Sequence, residues 1–355
     1  MVPYILAAIF PLLVESVYAE HQKRAPLRAR KRRWIYILIA AFPLFLLIGF
    51  RHYSLGNDTY TYLHNFSVLI DTPWNEVTDA SEMEPGYLIF AKLLTYITHE
   101  PLVYQVICAS IYYLAVFSFC NQLERSPFLT LFFFVTLGVY TFMFTGTRQC
   151  LAMSVCLFAF YFIRKRKIVF FLLLVALAYA FHHSAALFVV AYFIYGRKIN
   201  VFYISAYAIL SIASIVFLDR IQVFLNNLLD YDYDVEYTAN GEVFFLALAA
   251  LTIASIIITF SYRSLTFGGR GCINIAIIAL FFWVLRLFTR IAERPSYYFL
   301  FFSCAMVAFA LDGIPKLKER FIAKTVVVSL CMLLYVYRLM TSLSNLVPYI
   351  FYQSI

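Results

Sequence analysis

Apolar stretches long enough to cross a hydrocarbon layer follow one another along almost the whole chain, with charge confined largely to the short segments between them. A hydrocarbon core takes about 17 to 25 residues of helix to cross, and backbone polar groups inside it must be satisfied within the segment. A chain of this kind is therefore restricted to membrane-spanning helices. The composition agrees: 63% of the 355 residues are apolar and 13% are charged, about half the charge of an ordinary soluble protein. The reading is all-α, a polytopic membrane helix bundle of about 11 to 13 spans including one short hairpin. It is a single polytopic membrane domain over residues 1–355, with outer-face loops at 51–85 and 219–241.

Basic residues set the orientation. Met1 to Ala19 lacks a basic leader and a small-residue cleavage site, and Glu15 interrupts it, so it is expected to remain as the first span. Seven basic residues between Lys23 and Arg33 mark the next segment as cytoplasmic and put the N-terminus outside. Trp34 to Phe50 then crosses outward and delivers residues 51–85, with six acids to one base, to the outer face. Pro85 to Ile97 is too short for an ordinary span and carries Lys92, which suits a dipping or surface-lying helix. Spans at Pro101–Cys120, Pro127–Phe144 and Cys150–Ile163 lead to the basic run Arg164 to Lys167. Ile168 to Tyr195 has basic loops on both flanks, so it must form a tight hairpin with His182 and His183 at its outer tip. Spans at Val201–Leu218, Val243–Tyr262, Cys272–Phe288, Tyr297–Leu311 and Thr325–Leu343 follow, leaving the C-terminus outside.

The seven cysteines lie inside apolar runs without a Cys-x-x-Cys pair, and neither a zinc site nor a disulfide framework is indicated. The net charge of +9 comes mostly from loops beside spans, so no nucleic-acid partner is expected. The informative bases are those that the orientation rule does not explain: Arg51, Lys92, Arg148, Arg220, Arg286, Arg290, Arg294 and Arg338. A charge inside a span costs about 2.5 to 3.5 kcal/mol on insertion scales, and guanidinium groups suit phosphate oxygens. Arg286, Arg290 and Arg294 recur at a spacing that stacks them along one helical face, although Pro295 marks an end or kink there. The alternative is snorkelling to headgroups or pairing with Glu293.

Asp58 reads either as a general base or as a helix N-cap. His182 and His183 read either as acid–base groups or as histidines bonded to a backbone carbonyl. His52, His64 and His99 also fall on the outer side, but no metal-ligand spacing links them and no metal is expected. Asp230, Asp232 and Asp234 resemble a nucleotide-sugar Asp-x-Asp element but sit in an outer loop, which favours a solvated acidic segment. Gly268-Gly269-Arg270-Gly271 reads as a cytoplasmic turn without the lysine of a phosphate-binding loop.

Five motifs occur in order: Arg51-x4-Gly56-x-Asp58-x3-Tyr62-x3-Phe66, Glu84-Pro85-Gly86-Tyr87, Arg148-Gln149-x2-Ala152, Phe181-His182-x-Ser184-Ala185 and Arg294-x3-Tyr298. Together they resemble the EpsG family of Wzy-like polysaccharide polymerases, and the resemblance covers nearly the whole chain. It implies an enzyme of the bacterial cytoplasmic membrane similar to the integral-membrane GT-C glycosyltransferases. Such an enzyme joins oligosaccharide repeats carried on undecaprenyl pyrophosphate, without a metal or other cofactor. A flippase and a chain-length regulator are the partners such systems imply, for O-antigen, capsule or exopolysaccharide. The matched polar positions are Arg51, Asp58, Arg148, His182 and Arg294, with Arg286 and Arg290 added by spacing. Asp58 and His182 are the catalytic candidates, and the five arginines would hold pyrophosphate. Tyr62, Glu84, Tyr87 and Tyr298 would bind glycan, with Tyr60 and Trp74 as further stacking surface. Two other readings are an O-antigen-ligase-like transferase and a transporter or flippase of a lipid-linked or anionic solute. A transporter would tend to carry its charge near the bilayer midplane and show inverted repeats.

Overall fold

The computed structural model describes residues 1–198, 201–217, 220, 223, 241–262, 266–341 and 345–352. They form helices joined by short turns, and among them strand-like pairing is limited to one isolated bridge. Six helices among the described residues are long and apolar enough to cross a membrane. Shorter apolar helices lie between them, among them Arg33–Gly49, Pro127–Thr136 and Ile168–Phe181. The chain packs as two compact units, Met1–Ala185 with Thr325–Ile355, and Ala186–Lys324. The Asp230–Asp234 element and most of the 219–241 loop lie outside the described residues.

The first unit contains α1 (Val2–Arg24), α2 (Pro26–Lys31), α3 (Arg33–Gly49), α4 (Thr59–Asp71), α5 (Pro85–Thr95), α6 (Pro101–Gln122), α7 (Pro127–Thr136), α8 (Val139–Phe142), α9 (Thr147–Arg164) and α10 (Ile168–Phe181). Its core runs from α1 through α3, α6 and α9 to α10, each packed on the next. Ala40, Ala41 and Gly49 on α3, and Ala109 and Ala115 on α6, are buried. Small residues at such contacts let helices approach closely where lipid gives no hydrophobic drive for association. The acidic segment 51–85 is not an open loop, because α4 and a 3₁₀ turn at Trp74–Glu76 occupy much of it.

Expectations change at Pro127–Phe144, Arg338 and Lys92. Pro127 to Phe144 is two helices, broken at Leu137 and Gly138, where Gly138 adopts a φ of +85°. The Arg338 guanidinium occupies the space a Cβ of Gly138 would need and donates to the Leu137 carbonyl at 3.3 Å. Arg338 thus serves the break in the helix. Lys92 is buried and donates to the Leu69 and Ile70 carbonyls at 2.8 and 3.2 Å, closing the C-terminal end of α4. Orphan carbonyls and the negative end of a helix dipole are what its charge answers. The apolar run after Ile168 does break at the histidines: α10 stops at Phe181, His182 is extended, and a 3₁₀ turn spans His183–Phe188.

Residues 345–352 return to the start of the 51–85 segment. The Tyr349 hydroxyl donates to the Leu47 carbonyl at 3.1 Å, His52 N to the Ile350 carbonyl at 3.0 Å and Tyr352 N to the Phe50 carbonyl at 2.8 Å. The Tyr4 hydroxyl donates to the Leu346 carbonyl at 2.7 Å.

The second unit contains α11 (Val189–Ile194), α12 (Val201–Val216), α13 (Glu242–Ser261), α14 (Phe267–Arg286) and α15 (Glu293–Asp312), and α16 (Leu317–Thr341) carries the chain back to the first. α15 is its central helix, buried along most of its length and packed on α13 and α14. Gly268 to Gly271 is not a turn but the first part of α14, capped by Thr266, whose hydroxyl oxygen accepts from Gly269 N at 3.0 Å. A Cβ at Gly271 would collide with the Tyr195 ring, which accounts for glycine at that position.

Candidate active site

Direct contacts join the motif residues of the first unit where several of its helices begin or end. At Gly56 a φ of +87° turns the chain so closely past Phe144 that a Cβ would overlap the Phe144 carbonyl. Glycine alone takes that conformation at no steric cost. The turn leads to Asp58 at the N-cap position of α4, where its half-buried side chain makes no capping bond. The Thr59 hydroxyl lies 2.7 Å from the Leu55 carbonyl and 3.0 Å from that of Phe144. The Arg51 guanidinium is buried, with Nη1 donating to the Ile48 carbonyl at 2.6 Å and Nε to the Thr59 hydroxyl at 3.3 Å. It also lies 5.5 Å from the centre of the Phe144 ring.

Glu84 is the hub of the polar cluster. It takes the N-cap position of α5, and Pro85 follows where a missing amide hydrogen costs nothing. Gly86 then passes so near the Ala180 backbone carbonyl that a Cβ would overlap it. This close approach brings Glu84 to the end of α10, where His182 Nδ1 lies 2.6 Å from Glu84 Oε1. Arg148, in the first turn of α9, makes an ion pair through Nη1 with Glu84 Oε2 and donates from Nε to the Tyr62 hydroxyl at 3.4 Å. Burial by itself pushes the Glu84 carboxyl up. The His182 hydrogen bond and charge and the Arg148 guanidinium outweigh it and hold the group at about 2. Glu84 is therefore a carboxylate at any physiological pH. The Arg148 side chain is 16% exposed, against 4% for Glu84 and 5% for His182, so Arg148 is the member of this trio most open to a ligand.

Several sequence expectations fare differently. Glu84, read as a glycan contact, has both oxygens accepting from protein groups. Tyr87 is fully buried, with its hydroxyl 2.7 Å from that of Tyr104, and Tyr62 is 6% exposed, so neither offers a ring face to a sugar. Tyr60 and Trp74 are 53% and 46% exposed and do present aromatic surface. In the second unit Tyr298 is buried within α15. Arg286, Arg290 and Arg294 do not share a helical face: α14 ends at Arg286, Thr289 is extended, Arg290 lies in a 3₁₀ turn and Arg294 in the first turn of α15. Arg286 Nε donates to Glu293 at 2.8 Å, the pairing weighed against anion binding, while Arg290 is exposed and Arg294 half-buried. Gln105 was missed. Buried on α6, it donates from Nε2 to the Gly49 and Arg51 carbonyls at 3.0 and 2.9 Å, and a lone amide in an apolar span was its available signal.

Among the described residues no three His, Cys, Asp or Glu side chains come together as a metal site would need. A small apolar pocket of about 20 Å³ lies among α3, α6, α7 and α8, lined by Leu44, Ile48, Tyr112, Tyr140 and other residues without a charge. The charged and acid–base side chains gather at the Glu84 cluster and not at this pocket.

The model of the EpsG family matches residues 34–351. The chain belongs to the EpsG family. Membership supports a membrane protein of the polysaccharide-polymerase type. No curated protein and no solved structure matches the chain. The EpsG match begins after α2 and takes in every residue of the polar cluster.

Proposed function

We propose that the protein is a bacterial polysaccharide repeat-unit polymerase, resembling the GT-C glycosyltransferases, that works on the outer face of the cytoplasmic membrane. The growing glycan passes from undecaprenyl pyrophosphate to the non-reducing end of a second lipid-linked repeat. The acceptor hydroxyl attacks the anomeric carbon, the bond to the pyrophosphate oxygen breaks, and undecaprenyl pyrophosphate leaves with the electron pair. The observation that carries this reading is Arg148: an arginine with a partly exposed side chain, held by Glu84 and Tyr62 beside a histidine. A preorganised cation aimed at the position where negative charge develops can stabilise a departing pyrophosphate. Asp58 and His182 are the two candidates to take the hydroxyl proton, and Tyr60 and Trp74 are the exposed rings nearest in sequence for sugar stacking.

The test is reconstitution. The full-length protein in nanodiscs is given a lipid-pyrophosphate oligosaccharide repeat, and the products are separated by size. A ladder that disappears in Arg148→Ala is the expected result. Long polymer at the wild-type level from both Arg148→Ala and Asp58→Ala would refute the site.

A further inference from the structure

We propose that Glu84 is a positioning residue that fixes the proton of His182 on Nδ1, so that Nε2 becomes the base for the acceptor hydroxyl. Asp58 is then not the base. An ionised carboxylate only accepts hydrogen bonds, so a ring nitrogen 2.6 Å from Glu84 Oε1 has to be the donor. In the neutral imidazole that choice leaves the lone pair on Nε2. Both members of the pair are almost completely buried, so water does not compete for the bond. Two further restraints fix the carboxylate in place: the Arg148 guanidinium on Oε2, and the close approach of Gly86 to the Ala180 carbonyl.

The charges suit a proton acceptor. In the form that can accept a proton, His182 is neutral and the trio carries one positive and one negative charge. When the hydroxyl proton moves to Nε2, the imidazolium that forms already faces a carboxylate, and the new glycosidic bond takes the oxygen's electron pair. The proton is later released to water, and the departing pyrophosphate keeps the electrons of the broken bond beside Arg148. Among the groups acting on the ring are Glu84 at the start of α5 and, one contact further, Arg148 on α9. A single carboxylate thus sets the base and the anion clamp together. The hydroxyl as substrate rests on the polymerase reading, whereas the fixed tautomer does not.

The experiment is nitrogen NMR on full-length protein carrying labelled histidine in nanodiscs, at a pH where the ring has lost its second proton. The His182 signals are identified by their loss in His182→Gln. The wild-type protein is expected to show one tautomer, protonated at Nδ1, and Glu84→Gln to show loss of that preference together with a fall in polymer of about 10²-fold or more. Arg148→Gln is expected to lose polymer while keeping the Nδ1–H form. A wild-type His182 protonated at Nε2 would overturn the proposal, and that spectrum suffices even if Glu84→Gln does not fold. Polymer at the wild-type level from His182→Gln would overturn the base role. A fixed Nδ1–H form in a protein that extends no lipid-linked repeat would count against the polymerase reading alone.

Discussion

Acid should loosen the first unit through one residue. The Glu84 carboxyl is held at about 2 in the folded protein, against an ordinary value of 4.5. Above the ordinary range both folded and unfolded chains carry the carboxylate, and the stabilisation is complete. As the pH falls from about 4.5 toward about 2 the unfolded chain takes up a proton that the folded one does not, so the stabilisation drains away across that window. At about 1.4 kcal/mol per pH unit the loss over this window comes to about 3 to 4 kcal/mol. Breaking a buried ion pair by removing one partner costs about 3 to 5 kcal/mol, which is a consistent size. Glu84→Gln should therefore be less stable than wild type at neutral pH by that order, with the gap narrowing below about pH 4.5 and closing toward about pH 2. All seven cysteines are buried and outside disulfides, so a thiol-reactive fluorophore follows thermal unfolding directly. Melting curves of both proteins at a series of pH values supply the measurement. Parallel pH dependence in wild type and Glu84→Gln would show that Glu84 is not held as described, and the argument from its partners would fail.

Gly86→Ala should separate the start of α5 from the end of α10, costing about 1 to 3 kcal/mol of stability and most of the polymer made; polymer at the wild-type level would refute the close-approach argument. Lys92→Met should destabilise by about 1 to 3 kcal/mol by leaving the Leu69 and Ile70 carbonyls unanswered, without shortening the product ladder. Shorter chains from a normally stable Lys92→Met would return this lysine to the substrate site. Thr266→Val should cost about 1 kcal/mol through loss of the cap on α14, read as a lower melting temperature.

The helical framework was legible because hydrocarbon imposes it: a run such as Pro101 to Cys120 has few alternatives, and α6 occupies it with two residues to spare. The break at His182 was legible from the basic flanks of its run, but the one at Gly138 was not. Nothing around Gly138 in an apolar stretch announces that Arg338, 200 residues later, will come to lie against it. The spacing of Arg286, Arg290 and Arg294 suggested one face because periodicity presumes a continuous helix, and α14 stops after the first of them. Pro295 gave the better hint, since it stands in the first turn of the next helix, where its ring is tolerated. Within the candidate site the residue types were found, but the role of Glu84 was not. Its partners His182 and Arg148 lie 98 and 64 residues away, and an acid before Pro-Gly-Tyr carries no local mark of either.

The return of residues 345–352 to the end of α3 bears on the order in which the protein can be made. The segment that pins Phe50 and His52 leaves the ribosome after every helix of the second unit, so the Arg51 turn waits in the membrane without its last hydrogen bonds while residues 186–324 are inserted. Completion of the first unit is thereby tied to synthesis of the second.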